Sequence, residues 1–338
     1  MQFGLFGAAR AERGGADVDS GAGFREFVEQ NVEAEALGYS STFVVEHHFT
    51  GFGQISATLD LLTWIAARTT TLRVGTAVLV LPWHNPVLLA EQAATIDLLS
   101  GGRLDFGIGK GYRHNEFAGF CVPMEEAEER FQEALGVIIK AWTFDERWSH
   151  RGKYWQFEDI IVEPPTAQKP HPLIWMAAGS PGSIRQVAAN GFNLLLDQFA
   201  PPEEVRAHIA LYRAEVEAAG RVFDPMSVGV TRSVSIVSTA DEREKALVQR
   251  LEGHRRISAL AQRPDGQNRA SFFSHGDTLE AAEAGALYGT ADEVCAKLEA
   301  LHEAGAEYVL LNSAGGRDSL RRFANEVMPA FAGAAAGV

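Results

Sequence analysis

Eight short apolar runs, each followed by a stretch of helical periodicity, predict an α/β protein built as one closed (β/α)8 barrel. Three observations carry that prediction. The runs alternate with helical segments from end to end, which calls for parallel strands joined by right-handed crossovers. No low-complexity linker divides the 338 residues, and eight units in that length suit a closed barrel better than an open doubly wound sheet. Ionisable residues gather where strands end, and barrels of this kind keep their chemistry at that end.

In order, residues 3–6 read as the first strand, followed by a Gly-rich loop over 14–23 and a helix over about 24–37 that stops at Gly38. The second strand opens at Ser41, and 58–67 follow as a helix. Residues 72–80 read as one third strand; Pro86 then sits in the first turn of a helix ending near Leu99, where its missing N–H costs nothing. Residues 104–109 are strand four and 125–142 a long helix. Charged, aromatic and proline residues fill 143–170, and Tyr154-Trp155-Gln156-Phe157 suggests a small hairpin inserted before strand five at 173–178. A helix opens at Ser180-Pro181-Gly182-Ser183. Strand six spans 193–197, helix six 202–219 and strand seven 227–237. Residues 242–254 are helical, whereas 255–288 are polar and weakly periodic, so a long mobile lid is expected there. The last unit is a helix over 290–304, a strand over 308–311 and a helix over 319–331. Residues 1–338 are thus expected to be a single domain with one insertion and one lid.

A hydrophobic fraction of 46% and a charged fraction of 22% fit an ordinary globular chain with a sizeable core. A net charge of −14 argues against nucleic acid or an anionic membrane as partner. Two cysteines are too few for a disulfide framework and suit the cytoplasm. Arg10, Glu12 and Arg13 follow the first apolar run, so no signal peptide is expected, and no run reaches the ~18 residues of a membrane span.

The second strand ends in Glu46-His47-His48-Phe49-Thr50-Gly51-Phe52-Gly53. Adjacent histidines on a strand point to opposite sides, so only one faces the barrel mouth. A carboxylate closing an apolar run needs a partner or an open mouth. Trp175 to Ser183 read as strand, tight turn and helix start, an arrangement whose free amides and hydroxyls suit an anion, although an ordinary serine cap explains it equally well. It lacks the first glycine of a nucleophile elbow. Gly107-Ile108-Gly109-Lys110-Gly111-Tyr112-Arg113 lacks the spacing of a dinucleotide fingerprint; its glycines let backbone approach a flat ligand, with Lys110 and Arg113 as anion partners. Arg130 lies amid Glu125, Glu126, Glu128 and Glu129, and an i,i+4 ion pair on a solvated face is its default reading. Glu46, His47, His48, His84 and His114 do not form a metal set, because neighbouring strand histidines cannot readily share one ion; no metal is expected.

The Glu46–Gly53 stretch resembles the second-strand signature of the bacterial luciferase-like flavin-dependent monooxygenases, above all the luciferase alpha subunit. Further matches lie at Met1-Gln2-Phe3-Gly4, 75–82, 102–108 and Val327-Met328-Pro329, so the resemblance covers essentially the whole chain. It implies a TIM barrel binding reduced FMN (FMNH2) at the C-terminal mouth. His47 matches the family's catalytic histidine and His48 its neighbour; Glu46 and Tyr112 join the cofactor-binding candidates. Arg130 matches the arginine that grips the FMN phosphate, which replaces the solvated-face reading. Gly179, Ser180 and Ser183 match the phosphate loop. Lys110 stands where luciferases carry an arginine, so charge is kept and bidentate geometry lost. Ala77-Val78 matches a dipeptide that makes a non-proline cis bond against the flavin ring.

The implied reaction is oxygenation of a small substrate, such as an aldehyde or ketone, by O2 through a flavin C4a-hydroperoxide, with a separate reductase supplying FMNH2 and a homodimer as the usual assembly. There are departures: Gly109 replaces a reactive cysteine, Gly179 replaces a glutamate, and 255–288 share little with the luciferase lid. Other members imply rival readings: a Baeyer–Villiger-type or terpene monooxygenase, a deazaflavin (F420)-dependent hydride-transfer enzyme, or a non-catalytic subunit like luciferase beta.

Overall fold

In the computed structural model, which describes residues 1–266, 277–313 and 315–332, eight parallel strands close into a ring. The chain runs β1 (Gln2–Gly7), α1 (Ala22–Ala36), β2 (Ser41–Val44), α2 (Thr58–Arg68), β3 (Arg73–Thr76), β4 (Leu79–Val80), α3 (Pro86–Leu99), β5 (Leu104–Gly109), α4 (His114–Gly119) and α5 (Ala127–Thr143). It continues through the hairpin strands β6 (Trp148–Arg151) and β7 (Gln156–Ile160) to β8 (Leu173–Ala177), α6 (Pro181–Asn190), β9 (Asn193–Leu196), α7 (Pro202–Ala218), β10 (Val228–Ile236) and α8 (Ala240–Ala261). The remainder is α9 (Leu279–Ala284), β11 (Ala286–Gly289), α10 (Ala291–Glu303), β12 (Tyr308–Ser313) and α11 (Gly316–Glu326). The ring order is β1-β2-β3-β5-β8-β9-β10-β12, closed by the β12–β1 pairing.

β10 is nine residues long and shares one edge between two partners: Val228–Val230 pair with β9, and Ser233–Ile236 pair with β11. Four strands send Phe43, Trp175, Leu195, Tyr308 and Leu310 into one small apolar cluster. Glycines make room for it: a Cβ on Gly75 would sit 2.5 Å from the Phe43 ring, and one on Gly229 3.1 Å from Leu195. The larger core lies between strands and helices, with Leu62, Ala93, Ile138, Val187 and Leu298 as its helical side.

Five local readings are corrected. The run 72–80 is two strands separated at Ala77-Val78. Residues 114–119 form α4, too short to show a helical period in sequence. The 255–288 segment is not one loop: 255–261 complete α8, α9 and β11 follow, and 267–276 lie outside the described residues. Thr239 and Glu242 start α8 as a reciprocal capping box, a signal present in the sequence. The last helix ends at Glu326, where Pro329 prevents its continuation, and a 3-10 turn over Met328–Phe331 follows. No described helix is long and apolar enough to cross a membrane.

Candidate active site

Just beyond β2, Glu46 and His48 turn toward the segment after β3, while His47 turns toward α4. The Glu46 carboxylate is fully buried and holds four donors. Oε1 accepts from His48 Nε2 at 2.7 Å, His84 Nε2 at 2.8 Å and Trp83 Nε1 at 3.1 Å; Oε2 accepts from the Val80 amide at 2.9 Å. Burial opposes the ionised form, but the hydrogen bonds from His48, His84 and Trp83 outweigh it and hold the carboxyl down at about 2. An ionised carboxylate only accepts, so Nε2 of both histidines carries the hydrogen. Glu46 is thereby engaged by the protein itself, as a tie between the end of β2 and residues 80–84.

Glu116 on α4 does for His47 what Glu46 does for His48. Its Oε1 lies 3.1 Å from His47 Nδ1 and accepts the His48 amide at 2.9 Å. Arg113 NH1 stands 3.9 Å from the same oxygen and is a buried atom with no hydrogen-bond partner among the described residues. Burial pushes the His47 imidazole below its ordinary value; the Glu116 hydrogen bond pulls it back up, and the Arg113 charge pushes it down. With Nδ1–H directed at Glu116, His47 Nε2 is the nitrogen left with a lone pair. Its side chain remains 13% exposed. Glu116 and Trp83 were not legible as site residues, and His84 was weighed only as a metal ligand. The only sequence signal for Glu116 was its i,i+3 spacing from Arg113.

The Ala77–Val78 bond is cis, as the resemblance implies. Val78 packs on the next strand so closely that a Cβ on Gly109 would lie 2.5 Å from Val78 Cγ2, and one on Gly107 would lie 1.7 Å from the Thr76 carbonyl oxygen. Bare backbone therefore follows from packing within the protein. Rim aromatics surround the histidines: His48 and Phe120 rings are 4.7 Å apart, and Phe120 stacks on Trp83 at 5.2 Å.

Beyond Gly109 a cationic arc begins. Lys110 Nζ lies 2.6 Å from Glu128 Oε2 and 3.2 Å from Gln186 Oε1, which joins the start of α5 to α6. Arg130 donates Nε to Glu126 Oε2 at 2.8 Å, the i,i+4 pair expected by default. Ser180 and Ser183 form a reciprocal cap at the start of α6, and their hydroxyls bond each other at 2.9 Å. The hydroxyls and the Ser183 amide are thus occupied and Pro181 has no N–H, so the Gly182 amide is the first-turn donor without a partner among the described residues. Gly179 immediately precedes the cap. Tyr112 receives the Arg113 Nε–H at 3.3 Å, so the structure groups it with the Glu116 side of the site.

These residues fit a ligand with a flat ring and an anionic tail. The tail finds a lysine, an arginine with both terminal nitrogens unpartnered among the described residues, and a helix N-terminus. The ring finds apolar backbone at 77–78 beside an oriented imidazole.

Ionisable groups held at the C-terminal mouth of a closed parallel barrel define a TIM-barrel enzyme. More particularly, the chain belongs to the luciferase-like monooxygenase family, whose model matches residues 1–308. It is 34% identical to protein y4vJ of Sinorhizobium fredii over 58% of this chain, an alignment that spans only 55% of that relative. Over 98% of this chain and 96% of the relative, it is 28% identical to the oxygenase component of flavin-dependent trigonelline monooxygenase from Acinetobacter baylyi. The monooxygenase RslO1 from Streptomyces bottropensis superposes with a TM-score of 0.83 at 27% identity, covering 98% of this chain and all of that one.

Proposed function

We propose that this chain is the oxygenase component of a two-component system that uses reduced FMN and O2 to oxygenate a small organic substrate. The observation that carries this reading is the continuity of three parts along the mouth: the His47–Glu116 pair, the cis Ala77–Val78 segment and the Lys110–Arg130–Ser180 arc. Bound reduced flavin supplies the electrons that activate O2. Lys110, Arg130 and the Gly182 amide at the start of α6 hold the phosphate. Glu46 fixes His48 and residues 80–84, so the wall beside the ring is set before ligand arrives. His47 moves a proton at Nε2, and Glu116 holds its tautomer. Retention of His47, Arg130 and the Gly179–Ser183 loop favours an enzyme over a non-catalytic subunit.

A separate reductase delivers the flavin. Cys121 and Cys295 are both free thiols, in keeping with a reducing cytoplasm. Residues 1–338 act as one domain, and the described part of 255–288 placed to serve as a lid is 255–263. Arg263, two residues past α8, pairs with Glu125 at 3.1 Å in the 3-10 turn before α5, and Arg256 of α8 lies 6.0 Å from the Phe52 ring in the loop after β2.

The test is a reductase-coupled assay under 18O2 with a panel of aldehydes and ketones, plus trigonelline because the end-to-end relative acts on it. A product carrying one labelled oxygen is expected. Oxidation of substrate without label, supported by F420 and independent of O2, would replace this reading with hydride transfer.

A further inference from the structure

The inserted hairpin is seated on α5 with more precision than an appended loop needs. Glu133 of α5 accepts three successive backbone amides, from Lys153 at 3.0 Å, Tyr154 at 3.0 Å and Trp155 at 2.8 Å, and lies 3.2 Å from His150 Nε2. Gly152 leaves room for this grip, because a Cβ there would stand 1.9 Å from Glu133 Oε1 and push the carboxylate aside. One turn earlier on α5, Glu129 accepts the Tyr154 hydroxyl at 2.7 Å. The ring so fixed lies 4.4 Å from the Arg130 guanidinium carbon.

Arg130 is therefore held from two sides. Glu126 binds Nε, Tyr154 covers a face of the guanidinium, and the two terminal nitrogens have no partner among the described residues. A free arginine loses much rotamer freedom when it grips an anion; one already clamped loses less.

We propose that the hairpin serves as a holder for Arg130, with Tyr154 as a positioning residue for the cofactor's phosphate. This rests on the reading that Arg130 binds that phosphate. Tyr154 does not touch the ligand; it presents the guanidinium as a fork of two N–H edges facing outward, and Glu126 sets its roll. The insertion thereby acts on cofactor selection, favouring flavins that carry a phosphate.

The experiment compares dissociation constants of reduced FMN and reduced riboflavin, measured anaerobically, for the unaltered protein and for Tyr154→Leu, Tyr154→Phe and Arg130→Met. Riboflavin keeps the ring and lacks the phosphate, so it separates a loosened pocket from a lost anion grip. Tyr154→Leu is expected to weaken FMN by about five- to tenfold and leave riboflavin unchanged. Tyr154→Phe, which keeps the ring, is expected to stay within about twofold for both. Arg130→Met should weaken FMN more than either. Equal weakening of FMN and riboflavin by Tyr154→Leu, or none, with Arg130→Met selective for FMN, would overturn the holder role alone. Unchanged FMN affinity in Arg130→Met would instead remove the phosphate assignment on which it rests. Melting temperatures of all four proteins show whether a variant has lost its fold, and Tyr154→Phe keeps the comparison open if Tyr154→Leu has.

Discussion

Two carboxylates near the end of β2 do different work with the same chemistry. Glu116 orients His47, and its removal should be read in a pH profile. Because the Glu116 hydrogen bond raises the His47 value, Glu116→Gln should move the acidic limb of the kcat profile to lower pH; a limb that stays in place would show that His47 does not titrate in turnover. His47→Ala should cut turnover by about a hundredfold or more while reduced-FMN affinity stays within about threefold. Glu46 is a stability element. Its folded value of about 2 lies below the ordinary 4.5, so it contributes stability that is full above pH 4.5 and is lost as pH falls toward 2. Buried His47, also depressed, adds stability that is lost as pH falls below its ordinary 6.5. Glu46→Gln should cost about 1–3 kcal/mol at neutral pH and flatten the melting-temperature slope between pH 4.5 and 2, measured by scanning calorimetry. The sequence displayed Glu46, His47 and His48 as a charged end to an apolar run. It could not display Glu116 or His84, whose roles exist only once α4 and residues 80–84 fold against β2.

At the scale of elements, strand positions were the most legible feature, because apolar runs bounded by glycine and proline have few other uses. The break in the third run was harder to see, since Ala77 and Val78 suit a strand by composition. Its consequence is steric: β5 runs so close that Gly107 and Gly109 have no room for side chains. Gly107→Ala should destabilise the protein by about 3 kcal/mol or more, or prevent soluble expression, because the obstacle is the Thr76 carbonyl and not a movable side chain. A Gly107→Ala protein with an unchanged denaturation midpoint would mean β3 and β5 can separate locally. The end of α8 escaped the sequence reading for a different reason. Its last turns mix apolar Ile257 and Leu260 with Arg255, Arg256 and Ser258, and the polar run that follows masks where the helix ends. The hairpin was legible as an insertion, but its grip on Arg130 depends on Glu133 and Glu129 lying one turn apart on α5.

For the whole molecule, the barrel was readable from alternation alone, whereas cofactor and reaction came from resemblance and now rest on family membership. Trp64 on α2 and Leu88, Leu98 and Leu99 on α3 are exposed apolar side chains on adjacent helices. We propose that the homodimer implied by the family resemblance uses this face: Trp64→Glu should convert it to a monomer by light scattering, and a wild-type mass of one chain would end that proposal. The central claim concerns what the mouth does with a reduced flavin. The measurement that tests it most directly is rapid mixing of the protein, loaded anaerobically with reduced FMN, against oxygenated buffer while spectra are recorded. A transient spectrum distinct from both reduced and oxidised FMN, formed before oxidised FMN appears, is the predicted result. Direct appearance of oxidised FMN, at the rate seen for the free cofactor, would contradict it.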